Sequence, residues 1–547
     1  MQPLNSENSL DRKFVIPAQA GIQLIKKIPR SGSTLRFCPL RGLFISLDSR
    51  LRGNDGSNEL SGKLLGKLFG LIMHPTPISA IALDLGTTSI KAGLLDQHGT
   101  LRDVVSHPAA PITGSDGRYE SDALKYANIA ERVLSECLAR IEQAGEPLAL
   151  GLCSQRSSFL IWDKASGQPI TPLISWQDNR GAASCAALQD SNNFIHARTG
   201  LRLTPYYFAP KLHSMLDDKL CAQIVRGELL LGTLDTFLIW RWTRGTHYIT
   251  DASMAARTLL MDIKTQQWSP ALGDLFGIPV QCLPRIQPSA GLNLNLNNGY
   301  ILQASVADQS AALIATLAHD GADALINLGT GGFVIRYLPA RAAENILPKK
   351  GGGYLTTLVY QDKNLHAYTA CEGTLNSIAA ALAPYPVNEC TPENLAQNSG
   401  AGEEIFCLAE PSGIGAPYFR ADIGLTFSQP TTHLTQQQIA TLLLEAIIFR
   451  VAHIVEEFHQ QAPLQRVYLS GGLSQVKCLQ QGIAQCLPCE VYVLAQPETS
   501  LHGAALLASG LSLLNVNQSK KIQPHPDANK LREKFQRWKI WLDELLK

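Results

Sequence analysis

The 547-residue sequence is poor in net charge: 47 Lys and Arg stand against 46 Asp and Glu, a formal +1. So balanced a chain lacks the basic field that a nucleic-acid partner requires. No apolar run approaches the length of a bilayer span, so no membrane-spanning segment is expected. The twelve cysteines stand singly except for Cys486 and Cys489. One CxxC without a second ligand pair does not make a structural zinc site, and reduced, buried thiols in a cytoplasmic protein are the expectation. The histidines show no metal-ligand spacing. Neither a secretory h-region nor an Arg- and Ser-rich presequence opens the chain. What remains is globular: 45% hydrophobic and 17% charged residues, in a chain long enough for two large domains.

Residues 1–72 differ from the rest. They carry eleven Lys and Arg against five Asp and Glu, while the remainder carries 36 against 41. With suitable codons, the reverse complement of "VIPAQAGIQ" (15–23) encodes "LDSRLRGND" (47–55) at all nine positions. An inverted DNA repeat translated through both arms would do this, so we expect a non-native leader and a working start at Met73. "GKLLGKLFGLI" (62–72) imitates an amphipathic membrane helix and is discounted on the same ground.

After Met73 the pattern alternates between strand and helix, which predicts a layered α/β architecture. Strands are expected at 79–84, 90–95, 148–153, 159–162, 324–328, 333–338 and 466–470. Helices are expected at 122–144, 182–190 and 235–243, from Thr374, from about Thr435 with one apolar stripe, and from Leu501. The Asn-rich 293–298 stretch reads as a loop, and the amphipathic tail is expected to dock on the body. The expected domains are 76–318 and 319–513, followed by the tail at 514–547. A weak repeat marks the first two: "ALDLGTTSIKAGLL" (82–95) aligns without a gap on "LINLGTGGFVIRYL" (325–338).

Each copy alone reads as an ordinary hairpin with a glycine turn. Together they describe a duplicated device whose small residues let backbone N–H groups approach an anion. A carboxylate at the strand end, Asp84, suits a hydrated Mg²⁺. Gly471-Gly472 follows a strand and opens a helix, a third place for a nucleotide. Phosphoryl transfer to a hydroxyl also calls for a carboxylate that accepts the proton. Asp308, in "SVADQSAALIA", is the residue for that role, with helix capping as the alternative.

These stretches occur in an order that resembles a known family. "DLGTTS", "QRSSFLIWDKASGQPITPLISWQDNR" (155–180), "TGLRLTPYYFAPK" (199–211), "TDASMAARTLLMDIKTQQW" (250–268), "DQSAAL", "LGTGGF", "EGT" (372–374), "GIGAPYF" (413–419) and "GGL" carry the likeness. From about 78 to 510 the chain resembles the FGGY carbohydrate kinases of the actin-like ATPase superfamily, most of all their glycerol kinase branch. The resemblance implies two actin-like (ribonuclease H-like) α/β domains flanking a cleft that takes ATP, Mg²⁺ and a small carbohydrate or polyol. It implies Asp84 for the metal, and Thr87, Thr88, Ser89, Thr330, Gly331 and Gly472 for the nucleotide. Asp308 would be the base, and Arg156, Trp176, Tyr206, Asp308, Gln309 and Phe333 would meet the acceptor. A homodimer or homotetramer is compatible with this reading.

One position departs from the pattern. Glycerol kinases follow the Arg of the Gln-Arg pair with Glu, and here Ser157 stands there. Losing such a charged acceptor weakens binding by about 1.5–3 kcal/mol, or roughly ten- to a hundredfold. The expected substrate is therefore a different or larger polyol or sugar. A glycerol kinase tolerating Ser157, and a non-catalytic actin-like ATP sensor, are the alternatives. Trp162 and Trp240 are expected in the core, and Arg257 either packs or acts indirectly.

Overall fold

The computed structural model describes residues 77–547 apart from 142–147, 298, 320, 339–352, 397–403, 497, 512–518 and 525–527. The expected leader lies outside the described residues. Six strands form the first sheet: β1 (Ile78–Leu85), β2 (Ser89–Asp96), β3 (Leu101–Pro108), β4 (Ala149–Ser154), β5 (Ala290–Asn295) and β6 (Ile301–Ala307), in the order β5-β6-β4-β1-β2-β3. Seven form the second: β7 (Asp323–Leu328), β8 (Gly332–Tyr337), β9 (Leu355–Gln361), β10 (Ala367–Leu375), β11 (Arg466–Ser470), β12 (Glu490–Leu494) and β13 (Ser519–Ile522). Their order is β9-β10-β8-β7-β11-β12-β13.

The two sheets share one plan. In each, an antiparallel meander (β1-β2-β3, then β7-β8-β10) continues into two parallel strands, β4 and β6 or β11 and β12. The weak sequence repeat is thus the trace of a repeated fold, the α/β class expected above. The segment between β4 and β5 adds several short helices and three strands of a four-stranded sheet, whose fourth strand is Glu120–Ser121, with an apolar core around Phe159, Phe208 and Phe276.

Seven helices matter most: α1 (Ala123–Leu138), α2 (Asp308–Thr316), α3 (Ile378–Leu382), α4 (Gln436–Gln461), α5 (Lys477–Cys486), α6 (Thr499–Ser509) and α7 (Ala528–Leu545). Helix α2 follows β6 and α6 follows β12, and the pair fills the core between the sheets. They meet at Gly503, where a Cβ would stand 1.8 Å from the Ala311 carbonyl oxygen, so only glycine fits. Helix α4 opens on a capping box between Thr435 and Gln438.

Four expectations need correction. The helix expected from Thr374 begins at Ile378, because Thr374 still pairs with Phe333 in β10 and Ser377 then turns the chain at φ 56°. The first half of the Asn-rich stretch, 293–295, belongs to strand β5; its Leu-Asn alternation has the period of an edge strand with one wet face. Helix α4 is apolar on more than one stripe. It is also long and apolar enough to cross a membrane by composition, but 89% of the relevant window is buried in the protein.

Candidate active site

Three strand ends converge. Leu85 of β1 pairs with Ser154 of β4, and Ser154 pairs with Ala307 of β6. The Gly86–Thr88 turn, the Gln155-Arg156 pair and Asp308 therefore leave the sheet side by side at the carboxyl ends of parallel strands, where open α/β sheets bind ligands. In the second sheet β7 and β11 are parallel with Asn327 beside Ser470, which brings the Gly329–Gly331 turn next to Gly471-Gly472.

Asp84 pairs with Lys91 across the hairpin and with Cys153 on β4. Its Oδ1 is buried and has no hydrogen-bond partner. Burial, with the negative charge of Asp308 as second cause, pushes its pKa up to about 7; the Cys153 hydrogen bond and Lys91 pull the other way. A buried carboxylate with an orphaned oxygen is what a hydrated cation would satisfy, so the residue fits Mg²⁺. Lys91 itself is held by Glu498 at 2.6 Å.

The turn after β1 is held by side chains from other segments. Tyr126 donates its hydroxyl to the Gly86 carbonyl at 2.7 Å. Thr87 donates its hydroxyl proton to Gln155 Oε1 at 3.1 Å and accepts the indole N–H of Trp176 at 2.9 Å. With that proton committed, the side chain of Thr87 has none to give a phosphate. The backbone N–H groups and the exposed Thr88 hydroxyl are what the turn can offer, with Ser89 opening β2.

Asp308 is the first residue of α2 and accepts the Gln309 backbone N–H at 2.7 Å. It is not the N-cap; Ala307 is. Burial raises its pKa, opposed first by Arg156, then by the Gln309 backbone hydrogen bond and Arg257. Arg156 Nε lies 3.9 Å from Asp308 Oδ1, and its Nη1 lies 4.0 Å from Glu372 Oε2. The side chain of Glu372 is fully buried in β10 and also holds Arg257, at 3.3 Å. Sequence reading missed Glu372 as a functional residue and left Arg257 open; "EGT" and "TDASMAAR" were quoted, but only the fold brings them together. The side-chain oxygen of Gln309 is buried without a partner.

Trp176 and Tyr206 face each other at 6.4 Å between ring centres, and Tyr206 is half exposed. Phe333, on β8, packs against the core between the sheets. Ser157 is buried at φ 63° and donates its hydroxyl to the Arg257 carbonyl.

On the second sheet, the Gly329 N–H closes the turn onto the Gly331 carbonyl, and exposed Thr330 accepts the Ala379 N–H at 3.2 Å. Gly471 has φ 85°, and a Cβ there would stand 2.4 Å from both Asn327 Oδ1 and the Leu328 carbonyl. Gly472 faces open space. Beside it lies a cavity of about 410 Å³ lined by Ala379, Ala383, Tyr385, Pro386, Leu473 and Val476, among others. No sequence motif pointed to this mostly apolar pocket, since its walls come from α3, from residues 383–389 after it and from the turn after β11.

Residues 79–326 match the N-terminal domain of the FGGY family of carbohydrate kinases, and residues 324–510 match its C-terminal domain. The chain belongs to that family. It is similar to an apulose kinase from Pectobacterium atrosepticum, 30% identical over 494 residues that cover 85% of this chain and 97% of that one. A glycerol kinase from Polaromonas naphthalenivorans is 31% identical over 457 residues, covering 79% and 90%. Among solved structures, Plasmodium falciparum glycerol kinase with ADP superposes with a TM-score of 0.74 at 22% identity, covering 85% of this chain and 98% of that one. The protein is therefore an ATP-dependent phosphotransferase with an alcohol group of a sugar or polyol as acceptor.

Proposed function

We propose that this kinase phosphorylates a hydroxyl of a small carbohydrate or polyol other than glycerol, with Asp308 as general base. The observation that carries the reading is the register of three strand ends, Leu85, Ser154 and Ala307, which gathers the phosphate turn, Arg156 and Asp308 at one edge. Asp308 accepts the acceptor's proton as the γ-phosphoryl moves in line, and a carboxylate whose proton affinity burial raises is suited to that task. Arg156 and Gln309 hydrogen-bond acceptor hydroxyls, while Trp176, Tyr206 and Phe333 cover the C–H faces. The amides around Thr87 and Thr88, Thr330 and Gly331 hold phosphate oxygens. The base of the nucleotide enters the cavity beside Gly472, whose apolar walls and size suit an adenine. Asp84 would hold Mg²⁺, which when bound neutralises charge on the phosphate oxygens.

Ser157 supports an acceptor other than glycerol, because its hydroxyl is spent on the Arg257 carbonyl and gives the acceptor nothing. A second reading, true glycerol kinase activity, is favoured by the names of most of the similar relatives. A panel of glycerol, tetritols, pentuloses, hexoses and heptuloses, read by ADP release, separates the two. Our reading predicts a larger acceptor turned over at higher kcat/KM than glycerol. Glycerol as the best substrate would establish the second reading, and no turnover with any acceptor would contradict both.

A further inference from the structure

Lys211 is a buried ionisable group to which phosphoryl transfer gives no task. It ends "TGLRLTPYYFAPK" on the short helix Phe208–His213, and none of its surface is exposed. Its Nζ donates to the carbonyl oxygens of Ser157 and Ser175, each at 2.9 Å. These are the residues next to Arg156 and Trp176. Two loops 18 residues apart in sequence, each carrying one acceptor contact, are thus tied to a single nitrogen.

Other bonds show what the tie adds. Ser158 accepts the Trp176 backbone N–H at 2.9 Å and passes its own proton to Gln155 Oε1 at 3.0 Å. That ring runs on through Thr87 to the Trp176 indole. It fixes one side of the loops, and Lys211 fixes the other. Ser157 needs the support most, since its backbone sits at φ 63°, where a residue with a side chain is strained. The surroundings do little for a cation: Nζ lies 5.8 Å from the Phe159 ring centre, and burial pushes the pKa down to about 7, with Asp178 opposing and Arg180 assisting. An apolar side chain would fill this space without the cost of desolvating an ammonium group. The two hydrogen bonds are what lysine contributes, and protonated or neutral it keeps enough N–H bonds to make both.

We propose that Lys211 is a positioning residue for the acceptor site, holding the Arg156 and Trp176 loops at a fixed separation through the Ser157 and Ser175 carbonyls. This rests on the reading of Arg156 and Trp176 as acceptor contacts. Lys211 itself bonds neither Thr87 nor the turns of the second sheet, so losing it bears first on the acceptor side.

Steady-state kinetics of Lys211→Met tests it, with the best acceptor of the panel and with glycerol as reference. The expected result is an acceptor KM raised at least about tenfold, the scale of one lost hydrogen bond. The KM for ATP should stay within about twofold and the melting temperature should not fall, since the desolvated charge is gone. Lys211→Arg, which keeps the donors, should hold the acceptor KM well below that of the Met variant. An unchanged acceptor KM in folded Lys211→Met would overturn the proposal. So would an equal rise in both KM values, or loss of the fold in both variants, which would make Lys211 a folding residue. Arg156→Ala in the wild-type background separates the two levels. If it leaves the acceptor KM unchanged, the acceptor-site reading itself falls; if it raises KM while Lys211→Met does not, only the role of Lys211 falls.

Discussion

At Thr87 a hydroxyl that the hairpin sequence offers to a phosphate is already engaged, as donor to Gln155 and acceptor from Trp176. The Gly86–Thr88 turn and the Trp176 loop are therefore one hydrogen-bonded unit, which no local reading of "DLGTTS" could reveal. Glu372 makes the same point with charge. Its side chain is fully buried and is the counter-charge for Arg257 and Arg156, two cations supplied by other segments. Removing one member of such a cluster leaves the others charged and unpaired out of water. Glu372→Gln should cost about 3–5 kcal/mol of stability, measured by urea denaturation. An unchanged midpoint would show that the arginines are neutralised by something else.

Among the elements, those with a strong local period were legible and those fixed by distant partners were not. Strand β11 and the start of α4 could be read from their apolar patterns. The extent of burial of α4 could not, because its second apolar face is covered by a helix about 90 residues later. Leu531, Phe535, Trp538 and Leu542 of α7 are buried against it, with Phe535 and Trp538 at 5.6 and 5.7 Å from Phe449. Trp538 also donates to the Cys407 carbonyl, and Lys534 meets Glu445 in a buried pair at 2.7 Å. The tail is thus a structural member of the second domain, although the matched family domain ends at residue 510. Trp538→Ala should destabilise the protein by about 3–5 kcal/mol, seen as an earlier urea transition with the KM for ATP unchanged. A normal transition would mean that the helix is dispensable. Strands β5 and β10 were misread for the opposite reason: polar or small residues hid a pairing that only the neighbouring strand enforces.

Over the whole molecule, the two sheets are joined through α2 and α6, and the seam is close. A Cβ at Gly151 would stand 2.0 Å from the Ala504 carbonyl, so α6 of the second domain rests directly on the first sheet. The duplicated plan, the turns and Asp308 were all visible in sequence because repetition and spacing are one-dimensional signals. The apolar cavity, Glu372 and Lys211 were not, because each gains its meaning from contacts between segments more than thirty residues apart. The central claim is that Asp308 takes the acceptor's proton, and Asp308→Asn tests it most directly. With the best acceptor at saturation, that variant should lose turnover by at least about a hundredfold while binding ATP with wild-type affinity by calorimetry. Wild-type-like turnover in a variant that binds ATP normally would contradict the account.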